Sequence, residues 1–132
     1  MLTRASSKLS ASTEEVIHAS IGCGMTVHRH LGPGFKETIY EQAYRLELHD
    51  TGLSFESEKR ILVPYRDWQI PGQRVDLIVA GVLLIELKAI PKLRRIHHQQ
   101  VVAYLRATKL EVGLLMNFNT ILLKDSLKRI VL

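Results

Sequence analysis

Arg74-Val75-Asp76-Leu77-Ile78-Val79-Ala80-Gly81-Val82-Leu83-Leu84-Ile85-Glu86-Leu87-Lys88 reads as two short apolar strands joined at Ala80-Gly81. Runs this rich in Val, Leu and Ile belong to strands buried on both faces of a covered sheet. Asp76, Glu86 and Lys88 interrupt that run, and charged side chains are almost never buried without a partner. Loop length decides whether they meet. A two-residue loop at Ala80-Gly81 pairs Asp76 with Ile85 and sends Glu86 to the opposite face. A three-residue loop, Val79-Ala80-Gly81, pairs Asp76 with Leu84 and places Glu86 and Lys88 on the face of Asp76. Gly81 suits the left-handed third position of that longer loop, and Ala80-Gly81 is a weak match to the two-residue turns. The longer loop is therefore expected, with the three charged groups on one face.

Two carboxylates so placed repel unless a cation lies between them. Oxygen donors without cysteine favour a hard ion, Mg²⁺ or Mn²⁺. Such an ion can acidify water and neutralise charge on a phosphate, and Lys88 can orient the water or stabilise the charge that develops. The bland alternative is a buried Asp–Lys or Glu–Lys pair that serves folding alone.

The flanking chain supplies one domain's worth of support. Its 132 residues suit a single core. A hydrophobic content of 46% argues against disorder. Net charge +5 favours a polyanionic partner. Cys23 is the only cysteine, which excludes an internal disulfide and a cysteine-based zinc site. No apolar run reaches the roughly 18 residues of a membrane span, and the start of the chain lacks the apolar middle of a secretory signal. No membrane partner and a cytoplasmic location are expected. Residues 1–12 read as a flexible tail and residues 13–132 as the folded domain.

Ser12-Thr13-Glu14-Glu15 matches a capping box and predicts a helix start, with apolar spacing continuing to Leu31. Gly22 and Gly24 within it suit close packing. Gly32-Pro33-Gly34 ends this helix. A second helix is expected over Glu37–His49, stopped by Gly52. Phe55–Tyr65 is extended, with Pro64 marking an edge strand. Asp67-Trp68 and Pro71-Gly72 read as turns around a short extended piece. Pro91 closes the central hairpin, a third helix runs over Leu93–Thr108, and Val112–Phe118 is a buried strand. Asn117–Thr120 turns, Ile121–Lys124 reads as a strand pairing back, and Ile130–Leu132 closes the chain.

Asp76 followed by Glu86-Leu87-Lys88 resembles the D…(D/E)-x-K signature of the PD-(D/E)XK nuclease superfamily. Gly34-Phe35-Lys36-Glu37-Thr38-Ile39-Tyr40 spells G-x-x-E-x-x-Y and is similar to the GxxExxY proteins placed in that superfamily. Gln100-Val101-Val102-Ala103-Tyr104, as Q-x-x-x-Y, and the late strand Gly113–Phe118 agree in order. The likeness covers about Val16 to Leu132. Val75 stands where the superfamily's name has Pro.

This resemblance implies a single-domain α/β nuclease-like fold, a central mixed sheet with helices on both faces. It implies a metal-dependent nuclease that hydrolyses phosphodiester bonds of DNA or RNA, a Mg²⁺-dependent phosphodiesterase. Asp76, Glu86 and Glu37 would be metal ligands and Lys88 the catalytic lysine. Gln100 and Tyr104 would flank the site as substrate-binding residues. Specificity would then need a homodimer or a protein partner. The alternative is a non-catalytic module that keeps the fold and binds nucleic acid or protein.

Other residues divide between site and scaffold. Glu37 in a helix's first turn also complements the helix dipole, and Glu41 lies one turn further along the same face. His97, Gln100 and Tyr104 form one helical stripe, with His97 read as a helix-terminal residue. His28 and His30 are read as surface histidines. Lys92, Arg94, Arg95, Lys109, Lys124, Lys128 and Arg129 are scattered bases. Tyr65 and Trp68 suit base stacking or a partner contact.

Overall fold

A computed structural model describes residues 9–132. The tail expected over residues 1–12 falls mostly outside them. Helix α1 (Ala11–Leu31) begins at Ala11, capped by Ser10, whose Oγ accepts from the Thr13 N–H at 3.1 Å. The start is therefore earlier than the Ser12 pattern indicates. Ser12 lies inside the first turn, and Glu14 makes a two-pronged contact with the Arg129 guanidinium. Helix α2 (Glu37–Thr51) ends at Gly52 in the left-handed conformation, as expected.

Five strands follow: β1 (Phe55–Tyr65), β2 (Trp68–Val79), β3 (Leu83–Lys88), β4 (Val112–Asn117) and β5 (Leu127–Val131). Helix α3 (Arg95–Thr108) connects β3 to β4, and a short 3₁₀ turn at Leu123–Ser126 precedes β5. The sheet runs β1-β2-β3-β4-β5 in space. Only β3 and β4 are parallel, so the sheet is mixed. The helical crossover between them follows from that, because parallel neighbours need a long connection.

Two turn expectations are corrected. Pro71-Gly72 lies inside the single strand β2, where the register slips between Ile61↔Gln73 and Val63↔Ile70. Proline lacks a ladder donor and Gly72 has φ 116°, so the pair makes a bulge and not a turn. Ile121–Lys124 does not pair back; its end enters the 3₁₀ turn, and the returning strand is Leu127–Val131.

Helices cover both faces. Val16, Ile17, Val27, Tyr44 and Leu48 of α1 and α2 pack with Leu77, Ile85, Leu87, Leu114 and Met116. Val101 and Leu105 of α3 pack with Ile78, Leu84, Leu115 and Ile130 on the other side. Each such side chain fully buried contributes roughly 1.5–3 kcal/mol of hydrophobic stabilisation. Gly24 lets α1 approach β4, since a Cβ there would lie 2.7 Å from Met116 Sδ, whereas Gly22 meets nothing. Among the described residues no helix is long and apolar enough to cross a membrane.

Candidate active site

The site is built where β2 and β3 part. Their ladder runs Val79↔Leu83, Ile78↔Leu84, Leu77↔Ile85. The connecting loop is thus Ala80-Gly81-Val82, one residue later than the expected Val79-Ala80-Gly81. Ala80 and Gly81 both have positive φ, 53° and 68°, and the turn is closed by Val82 N–H donating to Val79 O at 3.0 Å. Continuing that register sets Asp76 opposite Glu86, not Leu84. The parity of the pairing, and with it the shared face, is unchanged.

At Asp76 and Glu86 side chains replace the ladder. The Asp76 N–H donates to Glu86 Oε1 at 3.1 Å, and the Leu87 N–H donates to Asp76 Oδ2 at 2.8 Å. Each carboxylate satisfies a backbone donor of the other strand, so the strands splay without orphaning a buried N–H. Burial, then the neighbouring Asp76 charge, pushes the Glu86 carboxyl up to about 8; the Asp76 N–H and Lys88 oppose this, and Glu37 adds to it. Asp76 is also raised by burial, with Leu87 N–H and Lys88 opposing and Glu58 adding.

Lys88 ends β3 half-buried. Its Nζ donates to Gln100 Oε1 at 2.8 Å and lies 3.9 Å from Glu86 Oε2. The Tyr104 hydroxyl lies beside Gln100 and accepts from Gln73 Nε2 at 3.1 Å. A polar chain therefore runs Gln73–Tyr104–Gln100–Lys88–Glu86. Gln100 of the Q-x-x-x-Y pair of α3 thus contacts the lysine directly, with Tyr104 one turn further along the same helix face. The loop after Lys88 is closed by buried Asn117, which accepts from Ile90 N–H at 3.0 Å and donates to Ile90 O at 2.9 Å.

Helix α2 brings two further acids. Glu37 is solvent-facing, yet partial desolvation raises its carboxyl, Asp76 adds to this and Lys88 opposes it. Glu41 is buried and also raised by desolvation, then by Asp76; Arg45 opposes, and Glu58 and Glu37 add. Among the described residues Glu41 Oε1 has no hydrogen-bond partner. Both acids thus face Asp76, with Glu37 also near Lys88 and Glu86, and Glu41 also near Arg45 and Glu58. Tyr40 of the G-x-x-E-x-x-Y stretch fixes this arrangement. Its hydroxyl donates to Gly32 O at 2.6 Å and accepts from Phe35 N–H at 3.1 Å, while its ring stacks on Phe118 at 4.8 Å.

Sequence reasoning missed Glu58, Gln73 and Asn117. Glu58 occupies the step between the pairs Ser57↔Leu77 and Lys59↔Val75, opposite Asp76, with φ 48°. A polar residue in an edge strand reads as solvated, and only this backbone distortion singles it out. His97 is scaffold, as expected: its Nδ1 accepts from Arg94 N–H at 2.8 Å. His28 is corrected from a surface residue to a half-buried tie, its Nε2 lying 2.8 Å from Thr120 O.

Among the described residues no group of three or more His, Cys, Asp or Glu side chains is drawn together tightly enough to cage an ion. Mg²⁺ does not require a cage: it keeps several waters and is bound through one or two carboxylates. Among the described residues Asp76 Oδ1 and Glu86 Oε2 accept no backbone hydrogen bond, and buried Glu41 Oε1 has no partner. An all-oxygen donor set with raised carboxyls fits a hard divalent cation.

A sequence model of the PD-(D/E)XK nuclease superfamily matches residues 14–130, nearly the whole chain. No curated protein and no solved structure matches.

Proposed function

The chain belongs to the PD-(D/E)XK nuclease superfamily, and from that premise we propose that it is a metal-dependent nuclease of the GxxExxY group, hydrolysing phosphodiester bonds of DNA or RNA. The observation that carries this is the Asp76–Glu86 clasp with Lys88 Nζ 3.9 Å from Glu86. Asp76 and Glu86 would hold Mg²⁺ or Mn²⁺, with Glu37 reaching the site from α2. The ion would supply charge neutralisation at the phosphate and an acidified water. Lys88 orients the attacking water and stabilises the charge that builds on the phosphate. Gln100, backed by Tyr104, sets the position of the Lys88 ammonium. The free Cys23 is buried in the core, in keeping with the reducing cytoplasm the proposal assumes.

A second reading has one observation in its favour. Both carboxylates already satisfy backbone N–H groups, so the clasp can serve folding alone in a non-catalytic module that binds nucleic acid or protein. A cleavage assay on DNA and RNA, with Mg²⁺, Mn²⁺ or EDTA, decides between them. Metal-dependent cleavage abolished by Glu86→Ala supports the nuclease. No cleavage by the unaltered protein on any substrate removes it.

A further inference from the structure

Beyond the acid cluster, β1 and β2 continue outward as a two-stranded arm. Arg60 and Arg74 are directly paired across it. Both are exposed, and they line a concave site of about 570 Å³ with Ile61, Leu62, Pro71 and Gly72. Like charges directly opposite each other on a sheet are destabilising. Among the described residues neither guanidinium has an ion-pair or hydrogen-bond partner to offset this. Glu58 and Asp76, two residues back along the same strands, form no bridge with them. The bulge at Pro71-Gly72 shapes the floor of the hollow, as Gly72 has φ 116° and no side chain.

An anion between two such guanidiniums removes their repulsion and offers oxygens to two planar forks, the geometry arginine uses for phosphate. Arg74 lies two residues from Asp76, about 7 Å along the strand. That is on the order of one nucleotide step from the proposed point of cleavage. We propose that the Arg60–Arg74 pair is a phosphate clamp on the β1–β2 arm, holding a backbone phosphate of the nucleic acid next to the one cleaved. The arm's exposed tip, with Trp68 paired to Tyr65, lies further along the same track. The inference deepens the nuclease reading by naming residues that hold its substrate, and it rests on that reading only for the position of the neighbouring phosphate.

Binding measured without cleavage separates the two. Fluorescein-labelled single-stranded and duplex DNA and RNA oligonucleotides are titrated with the protein in EDTA over a range of salt, followed by anisotropy. Arg60→Gln with Arg74→Gln should weaken binding roughly tenfold or more and lower the salt slope by about 0.7 to 0.9, as expected when one phosphate is no longer neutralised. Arg106→Gln with Lys109→Gln removes equal charge from exposed positions on and just after α3 and should change binding little. Arg60→Lys and Arg74→Lys keep the charge and lose the fork, so they should fall between. The Gln variant should melt no lower than the original protein, since a repulsion is relieved, which establishes that it is folded. Binding unchanged in the arginine variants, an equal loss in the α3 control, or no binding of any oligonucleotide by the unaltered protein overturns the clamp. Clamp-dependent binding without metal-dependent cleavage leaves the clamp standing and removes the nuclease reading. Cleavage with binding indifferent to Arg60 and Arg74 does the reverse.

Discussion

The Asp76 N–H donates to Glu86 Oε1 at 3.1 Å at the point where β2 and β3 separate. A carboxylate that receives a backbone hydrogen bond usually ionises more readily. Glu86 does the opposite because burial and the Asp76 charge outweigh that bond, raising its carboxyl from 4.5 to about 8.

This sets a pH dependence for the metal-free protein. Below about pH 4.5 Glu86 is protonated in both folded and unfolded chains, and above about 8 it is ionised in both. Between these limits the folded chain binds the extra proton, so stability falls as pH rises. The accumulated cost at Glu86 is roughly 3–5 kcal/mol. Glu86→Gln should flatten the profile and melt higher than the original protein at pH 9. Denaturant melts in EDTA at pH 5, 7 and 9 test this; identical profiles for the two proteins would show that Glu86 is not a buried, raised acid.

A divalent ion held by Asp76 and Glu86 would offset the penalty. Mg²⁺ would compete with the proton on Glu86, so its stabilising effect should be larger at pH 8 than at pH 6. At 100 times its dissociation constant it should add about 2.7 kcal/mol. Thermal melts with and without Mg²⁺ should show this shift in the original protein and none in Asp76→Ala. A shift that persists in Asp76→Ala would place the ion elsewhere.

Tyr40→Phe tests how the G-x-x-E-x-x-Y stretch presents Glu37. The ring can still stack on Phe118, but the bonds to Gly32 O and Phe35 N–H are removed. A destabilisation of about 1–3 kcal/mol is expected, together with a loss of cleavage greater than that of a surface control. A variant as stable and active as the original protein would mean the hydroxyl does not hold this loop.

The convergence of Asp76 and Glu86 was legible because strand alternation depends only on the parity of the register. A loop ending at Gly81 and the observed loop ending at Val82 both put the two acids on one face; only the two-residue loop does not. Absolute register was not legible, since Val79, Val82 and Leu83 are equally suitable strand residues and the left-handed backbone at Ala80 is not signalled by its side chain. Gly52 and Pro64 marked a helix end and an edge strand correctly because each acts through its own backbone. Pro71-Gly72 misled because the same backbone limits suit a turn or a bulge. Glu58, Gln73 and Asn117 stayed hidden because their roles depend on partners distant in sequence.

The grip of Gln100 on Lys88 gives the sharpest test of mechanism. Lys88 donates to a neutral amide at 2.8 Å and stands 3.9 Å from Glu86, whose carboxyl burial pushes up to about 8. Lys88→Met should therefore cost less than the roughly 3–5 kcal/mol of severing a buried ion pair. It should leave Mg²⁺ affinity equal or slightly higher, since a cation beside the carboxylates is removed. Cleavage should fall by orders of magnitude, because stabilising developing charge contributes several kcal/mol to lowering a barrier. Gln100→Leu keeps the lysine and frees its position, so kcat should drop about tenfold to a hundredfold with KM unchanged. If Gln100 acts through Lys88, the double variant should be no slower than Lys88→Met alone, as expected for residues that work as one unit. Additive losses would mean that Gln100 meets the substrate itself.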